Sequence, residues 1–140
     1  MWWMVAASGA EPVDGWVDAV ALATARDGVR VAPEVLTARV ANACDAGVEA
    51  ACAAAAVDLS DRDALARVFA RSCDAGDIVA CLGEAWMSLP MVDGAADVAH
   101  PSDPVRYRVL AEQTCRAGLV RGCVELGWVR LLGVDTYPNP

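Results

Sequence analysis

The six cysteines are the residues of this chain with the most chemistry open to them, and they form three pairs of identical spacing. In each pair, seven residues separate the two cysteines, and a glycine stands three residues after the first one. The pairs are Cys44 and Cys52, Cys73 and Cys81, and Cys115 and Cys123. Thiols in such a pattern can form disulfides, bind a metal ion or supply a nucleophile.

The spacing favours three local disulfides. A glycine at this position can end a helix in the left-handed conformation, and a second helix then begins before the second cysteine. The two cysteines would lie on either side of a tight helical hairpin turn, at a Cα separation of roughly 5.5–6 Å that suits a disulfide. Buried free thiols in a cytosolic helical protein remain the alternative, although unpaired cysteines have no reason to recur in pairs at one turn.

A metal site and a catalytic cysteine have weaker support. A separation of seven residues is not a zinc-ligand spacing, and His100 is the one histidine of the chain. A cysteine nucleophile needs a base beside it, and a histidine in the proline-rich sequence His-Pro-Ser-Asp-Pro is a poor candidate. We therefore predict no catalytic residue, no bound metal and no cofactor, and an exposed loop position for His100.

The elements that hold the cysteines read as helical hairpins. Good helix formers lead into the first cysteine of each pair, over residues 35–44, 64–73 and 105–115. Because one unit recurs three times, the sequence predicts an all-α fold. Three hairpins form the main part of this fold, an α/α solenoid in which each hairpin buries its apolar face against its neighbours. We assign the hairpins to residues 33–59, 61–89 and 103–134.

Local signals set the expected helix boundaries. A helix over residues 14–28 precedes the array, with Asp14 as its N-cap and Gly28 at its end. Residues 60–63 (Ser-Asp-Arg-Asp) resemble a capping box that opens the second hairpin, and Asp103 with Pro104 opens the third. Residues 89–102 read as a loop. Residues 57–60 allow only a tight connection, so the second helix of the first hairpin should be short.

Both ends of the chain carry expectations of their own. Residues 1–13 are an apolar segment that resembles a truncated signal peptide without a basic region, or equally a frayed end whose two tryptophans pack against the first hairpin. Residues 135–140 are a turn-like tail. Because helical arrays normally end in a polar capping helix, the absence of one after the third hairpin predicts that a partner covers it.

Charge limits the classes of partner. The net charge is -8, with 19 acidic residues against 11 basic ones, and every basic residue is an arginine. This balance argues against nucleic acid or an anionic membrane as the main partner. No apolar run approaches the roughly 20 residues that a membrane span requires, so we predict no membrane insertion.

Two segments resemble a known family. The segment FARSCDAGDIVACLGEAW of the second hairpin and CVELGWVRLLG of the third are similar to the Sel-one-like repeats, relatives of the tetratricopeptide repeat. They are most similar to the cysteine-rich, Hcp-type branch, whose repeats carry one disulfide across the hairpin turn. The resemblance covers about residues 33–134. A Leu-Gly pair of the family stands at residues 126–127 but is Ala-Ala at 55–56 and Glu-Ala at 84–85.

The resemblance implies a periplasmic or extracellular α/α superhelix, with a cytoplasmic location as the alternative. It also implies an activity for some members, described as penicillin-binding proteins or weak β-lactamases. A serine β-lactamase needs a Ser-x-x-Lys pair, and this chain contains no lysine. A zinc β-lactamase needs several histidines. We therefore favour a non-catalytic scaffold that binds a protein or peptide, and keep β-lactam chemistry as the alternative.

The expected binding surface is a row of polar residues on the first helices of the hairpins. Asn42, Arg71 and Gln113 each stand two positions before a first cysteine, and Arg67 lies one helical turn before Arg71. We predict that these four residues line a groove that binds an acidic or carboxylate-bearing protein or peptide. The alternative is ordinary solvated helix surface, stabilised by ion-pair ladders such as Asp63-Arg67-Arg71 and Arg108-Glu112-Arg116.

The sequence also predicts which residues lie in the core and which acidic residues lie on the surface. Residues at equivalent positions in successive copies usually pack between repeats, which predicts a core role for the following five: Leu36, Leu65, Tyr107, Trp86 and Trp128. The acidic residues of the second helices are expected on the surface: Glu49, Asp58, Asp77, Glu84 and Glu125.

Overall fold

The computed structural model describes residues 11–134, and side chains from residue 13 onward. Most of the predicted apolar segment 1–13 and all of the tail 135–140 lie outside the described residues. Seven helices account for most of the described chain, together with one two-stranded β-hairpin. The helices are α1 (Glu11–Thr24), α2 (Pro33–Asp45), α3 (Glu49–Ala55), α4 (Arg62–Asp74), α5 (Ile78–Met87), α6 (Pro104–Arg116) and α7 (Val120–Leu132). The strands are β1 (Met91–Val92) and β2 (Ala95–Ala96).

Six of the helices form three hairpins, and a disulfide crosses each hairpin turn as the cysteine spacing predicted. We call these hairpin 1 (α2 and α3), hairpin 2 (α4 and α5) and hairpin 3 (α6 and α7). The Cα–Cα separations are 4.6 Å for Cys44–Cys52, 4.5 Å for Cys73–Cys81 and 4.3 Å for Cys115–Cys123. These distances are shorter than the roughly 5.5–6 Å expected. Each first cysteine lies near the end of its helix and each second one near the start of the next, so the backbones are close at this point.

The turn of each hairpin depends on its glycine. Gly47, Gly76 and Gly118 have φ angles of +99°, +106° and +96°, a conformation that side chains with a Cβ rarely adopt. In hairpin 3 the two helices also approach closely beside the disulfide. A Cβ on Gly122 would lie 2.2 Å from Oγ1 of Thr114, so only glycine fits there.

The helix boundaries differ from the predicted ones at two places. The helix α1 already contains Glu11 and ends at Thr24, so Asp14 lies inside it and does not cap it, and Gly28 lies beyond its end. The N-cap of α4 is Asp61, whose side chain accepts a hydrogen bond from the Ala64 N–H, because the hydroxyl of Ser60 is bonded to Asp58 instead. Asp103 caps α6 as expected, by accepting from the Arg106 N–H.

The loop predicted over residues 89–102 contains β1 and β2. Asp93 and Gly94 join the strands with φ angles of +52° and +81°, the pattern of a two-residue type I′ turn. Two-residue strands carry almost no periodicity, which is why the sequence pattern did not indicate them. The prediction that the second helix of hairpin 1 is short is confirmed, since α3 has seven residues.

Consecutive hairpins pack against each other, and α1 packs on α2 and α5. The core at this junction contains Trp16, whose ring centroid lies 6.2 Å from that of Phe69. A Cβ on Gly83 would come within 2.9 Å of the Phe69 ring, so this glycine makes room for it. None of the helices within residues 11–134 is long and apolar enough to span a membrane.

The core prediction is correct for four of its five residues. Leu65, Tyr107 and Trp86 are buried, and Leu36 is half-buried against the same core. Trp128 is 39% exposed, so its predicted core position is wrong. It lies on α7, the last described helix, and no later helix of the described chain covers it.

Candidate binding surfaces

The predicted row of polar residues is exposed on the first helices of the three hairpins. Asn42 lies on α2, Arg67 and Arg71 on α4, and Gln113 on α6. None of the four side chains has a hydrogen bond or an ion pair with another residue of the described chain. Asn42, Arg71 and Gln113 stand two positions before the first cysteine of each hairpin, and the side chains of all four residues are exposed.

The predicted ion-pair ladders form only in part. Arg108 is paired with Glu112 on α6, at i and i+4. Asp63 and Arg67 form no ion pair on α4, and Arg116 has none with a described residue. Arg67 and Arg71 therefore stand on an exposed helix face without a neutralising carboxylate.

A cleft among residues 13–134 lies away from this row. Its volume is about 910 Å³, and it opens between the end of α1, the start of α2, the connection from hairpin 1 to hairpin 2, and the end of α5. The floor of this cleft consists of Leu22, Leu36, Leu59, Met87 and Leu89. None of the four residues of the predicted row lines it.

The rim of the cleft carries both signs of charge. Arg30 and Arg62 line it, both are exposed, and neither forms an ion pair within the described part. The Asp58 carboxylate accepts hydrogen bonds from the Ser60 N–H at 2.9 Å and the Ser60 hydroxyl at 2.6 Å. These bonds hold the pKa of Asp58 below its usual value, so it is ionised at neutral pH. The cleft thus combines an apolar floor with two cations and one anion.

A buried charged cluster joins the turn after α1 to hairpin 3. Glu125 of α7 is 1% exposed, and both its carboxylate oxygens accept from Nε of Arg26 at 3.2 Å. The Tyr107 hydroxyl donates a hydrogen bond to the same carboxylate. Burial, together with the negative charge of Glu125, raises the pKa of Tyr107 well above its usual value.

The position of Glu125 corrects the prediction that it lies on the surface. Two residues after the second cysteine, hairpins 1 and 2 carry Ala54 and Gly83, and both are buried. Hairpin 3 has Glu125 at this buried position, and the charge is stable there because Arg26 and Tyr107 pair with it. An alignment of the three copies on their cysteines would have indicated the burial. The partner Arg26 lies 99 residues away, and no local pattern indicates it.

Two other arginines connect helices and are engaged in the fold. Arg106 of α6 donates two hydrogen bonds to the Glu84 carboxylate of α5, at 2.9 and 3.1 Å. Arg121 of α7 donates to both Asp27 oxygens at 2.9 and 3.0 Å, and its guanidinium lies 5.0 Å from the centroid of the Trp86 ring. Arg106 therefore belongs to the packing between hairpins 2 and 3.

The described residues contain neither a serine–histidine hydrogen bond nor a cluster of metal-binding side chains. No serine hydroxyl in residues 13–134 is hydrogen-bonded to a histidine: Ser60 donates to Asp58, and Ser88 donates to the Ala85 carbonyl at 2.6 Å. His100 is exposed and its Nδ1 lies 2.9 Å from an Asp97 oxygen. Within the same part of the chain, no three residues of the metal-binding types come together as a site.

Comparisons with protein-family models, with curated proteins and with solved structures found no match for this chain.

Proposed function

We propose that this protein is a non-catalytic helical-repeat scaffold of the Sel-one-like type that binds a peptide or an extended protein segment. The family assignment is supported by three hairpins with the same turn, the same disulfide and the same packing order. The binding function is supported by one observation above all. Arg30 and Arg62 stand beside an apolar floor without a carboxylate partner in the described chain, although the protein is strongly acidic.

A peptide suits the mixed chemistry of this cleft. Apolar side chains of the ligand would lie on the leucines and Met87 of the floor, where burial of apolar surface is favourable. A C-terminal or side-chain carboxylate would accept hydrogen bonds from Arg30 or Arg62. Asp58 would accept from a ligand N–H or a basic side chain. Asp58 would repel a carboxylate placed beside it, so we favour a peptide that carries hydrogen-bond donors as well as a carboxylate.

The row on the first helices is the second candidate surface for the same function. Asn42, Arg71 and Gln113 present one polar group per hairpin, and Arg67 adds a second cation beside Arg71. A row of this kind could hydrogen-bond an extended chain across the three hairpins. It has no apolar floor, so we rank it behind the cleft.

Matched arginine variants decide between the two surfaces. The probe is a pool of nonapeptides with apolar residues and free C-terminal carboxylates, and peptides retained by the immobilised protein are identified and titrated by fluorescence anisotropy. For a retained peptide we expect Arg30→Ala with Arg62→Ala to weaken binding at least tenfold, because each charge-assisted hydrogen bond contributes about 1.5–3 kcal/mol. Arg67→Ala with Arg71→Ala serves as the equally charged control.

The opposite result assigns the site to the row. If only the Arg67 and Arg71 variant loses affinity, the cleft proposal is wrong and the row is the binding surface. If the protein retains no peptide from the pool, or if both variants bind as the parent does, the arginine-based binding function is wrong.

We also propose a periplasmic or extracellular location. Three intramolecular disulfides are typical of proteins in oxidising compartments. A cytoplasmic location is the alternative, and it would require the thiols to be reduced in the cell. Thiol labelling in intact cells under non-reducing conditions distinguishes the two locations.

The alternative activity implied by the family resemblance, β-lactam binding or hydrolysis, has a direct test. Purified protein is incubated with nitrocefin, and we expect no turnover above the rate in buffer. Sustained turnover that copurifies with the protein and persists in an independent preparation would contradict the non-catalytic proposal.

A further inference from the structure

One wall of the cleft is a segment whose backbone has little support of its own. We call residues 25–31, which follow α1, the wall segment, and four of them line the cleft: Ala25, Val29, Arg30 and Val31. Residues 29–31 belong to no helix or strand, and they form no backbone–backbone hydrogen bond within the described chain. The position of Arg30 beside the apolar floor therefore depends on what holds the residues just before it.

Hairpin 3 holds the start of the wall segment through two ion pairs. Arg26 donates from Nε to both carboxylate oxygens of Glu125 at 3.2 Å. The Asp27 carboxylate accepts from Arg121 at 2.9 and 3.0 Å. The Arg121 guanidinium also lies 5.0 Å from the ring centroid of Trp86 on α5, and the end of α5 forms part of the cleft. Hairpin 3 thus connects the wall segment with another part of the same cleft.

The middle of the wall segment is close to the β-hairpin. Gly28 has a φ angle of +73°, and a Cβ at this position would lie 3.1 Å from the carbonyl oxygen of Gly94. A second arginine, Arg39 of α2, lines a small hollow together with Asp27, but no ion pair joins these two side chains. Among the described residues, the ion pair of Asp27 is with Arg121.

Hairpin 3 itself contributes none of the residues that line the cleft. We propose that Asp27 and Arg121 are positioning residues for peptide binding. Their ion pair holds the wall segment where Arg30 meets the ligand, so hairpin 3 sets the affinity of a site that it does not touch. This inference rests on the proposed function of the cleft. When the pair is broken, the wall segment spends less time in the binding conformation, and the apparent dissociation constant rises in proportion.

The substitution Asp27→Ala tests the role of the pair in binding. Both side chains are partly exposed, so the free energy of unfolding should be nearly unchanged. A nonapeptide retained by the immobilised parent should bind the variant at least about threefold more weakly, because fewer molecules have the wall segment in place. Electrostatics alone predicts the opposite direction, since removal of a carboxylate makes the surroundings of Arg30 more attractive to a carboxylate of the ligand.

Limited proteolysis reports on the wall segment without a ligand. Trypsin cleavage after Arg30, identified by mass spectrometry, should be at least about threefold faster in Asp27→Ala than in the parent, because a locally loosened backbone is cleaved more readily. Asp27→Glu retains the carboxylate and should restore most of the affinity and the slow cleavage. The matched control is Asp45→Ala, which removes the same charge at the far end of α2 and should change neither readout.

The inference is wrong if Asp27→Ala binds the peptide as the parent does, or if cleavage after Arg30 is unchanged. A change in only one of the two readouts also overturns it, because affinity would then not depend on the wall segment. Equal losses in Asp45→Ala would show a general effect of charge. A parent protein that retains no peptide contradicts the proposed function of the cleft and any role of the pair in binding, and the cleavage rates then decide whether the pair holds the segment.

Discussion

The first and third hairpins share one turn and one disulfide, yet different interactions hold them in the molecule. Hairpin 1 packs through small side chains, with Ala50, Ala51 and Ala54 buried on α3 and no ion pair among its described residues. Hairpin 3 is joined to its neighbours by charged groups, through Glu125, Arg121 and Arg106. The repeated motif therefore sets the local turn, while the surroundings of each copy decide which side chains hold it.

The comparison also shows why one buried carboxylate is tolerated. The position that corresponds to Glu125 in hairpin 1 is occupied by Ala54, which fits among small side chains. In hairpin 3, the turn after α1 places Arg26 beside Glu125, and Tyr107 takes the place that Leu36 and Leu65 hold in the other copies. Glu125, Arg26 and Tyr107 thus form one hydrogen-bonded unit at hairpin 3, where the other two hairpins have apolar side chains.

Breaking this buried unit is expected to have the largest effect. Arg26→Ala leaves Glu125 buried without its cation and should lower the free energy of unfolding by about 3–5 kcal/mol. The measurement is chemical denaturation monitored by circular dichroism. Arg116→Ala removes an exposed arginine without an ion pair from α6 and should change stability by less than about 0.5 kcal/mol. Equal effects of the two substitutions would show that the buried pair does not hold hairpin 3 in place.

The disulfides provide the second comparison, because the central one is buried and the outer two are accessible. Cys73 and Cys81 are buried, whereas Cys52 and Cys123 are exposed. Replacing both cysteines of the central pair by serine should lower the free energy of unfolding by about 2–4 kcal/mol. Under limiting reductant, mass spectrometry should find the two outer disulfides reduced before the central one. Reduction of Cys73–Cys81 first would contradict the burial of hairpin 2.

The pH dependence of stability is a smaller and more specific test of hairpin 3. The pKa of Tyr107 is raised in the folded protein, so above about pH 10 the unfolded chain loses this proton while the folded protein keeps it. The unfolded state is then favoured, and the free energy of unfolding should fall by up to about 1.4 kcal/mol per pH unit from this residue. Below pH 10 both states hold the proton and the contribution is constant.

The control for this prediction is Tyr107→Phe, measured by denaturation at pH 9, 10 and 11. The variant should be less stable than the parent at pH 9, because Glu125 loses a hydrogen bond. Its free energy of unfolding should also fall less steeply between pH 9 and 11, because the contribution of Tyr107 is missing. A variant with the same slope as the parent would show that Tyr107 ionises as easily in the folded protein as in the unfolded chain.

Much of the architecture could be predicted from local signals in the sequence. The cysteine spacing and the glycine between each pair indicated three hairpin turns and their disulfides, because both depend on residues fewer than ten positions apart. The start of α6 at Asp103 and Pro104 also depends on local sequence, as does the shortness of α3. Both were predicted correctly. The sequence by itself determined the repeated unit.

The tertiary structure decided what the repeated unit could not specify. Trp86 and Trp128 occupy the same position in two copies, and only the presence of a covering helix makes one buried and the other exposed. Glu125 carries the charge of a surface residue and is buried, because an arginine 99 residues away lies beside it. Burial and pairing depend on which elements meet in space. For that reason, the cleft at Arg30 and Arg62 and the exposure of Trp128 became visible only in the folded chain.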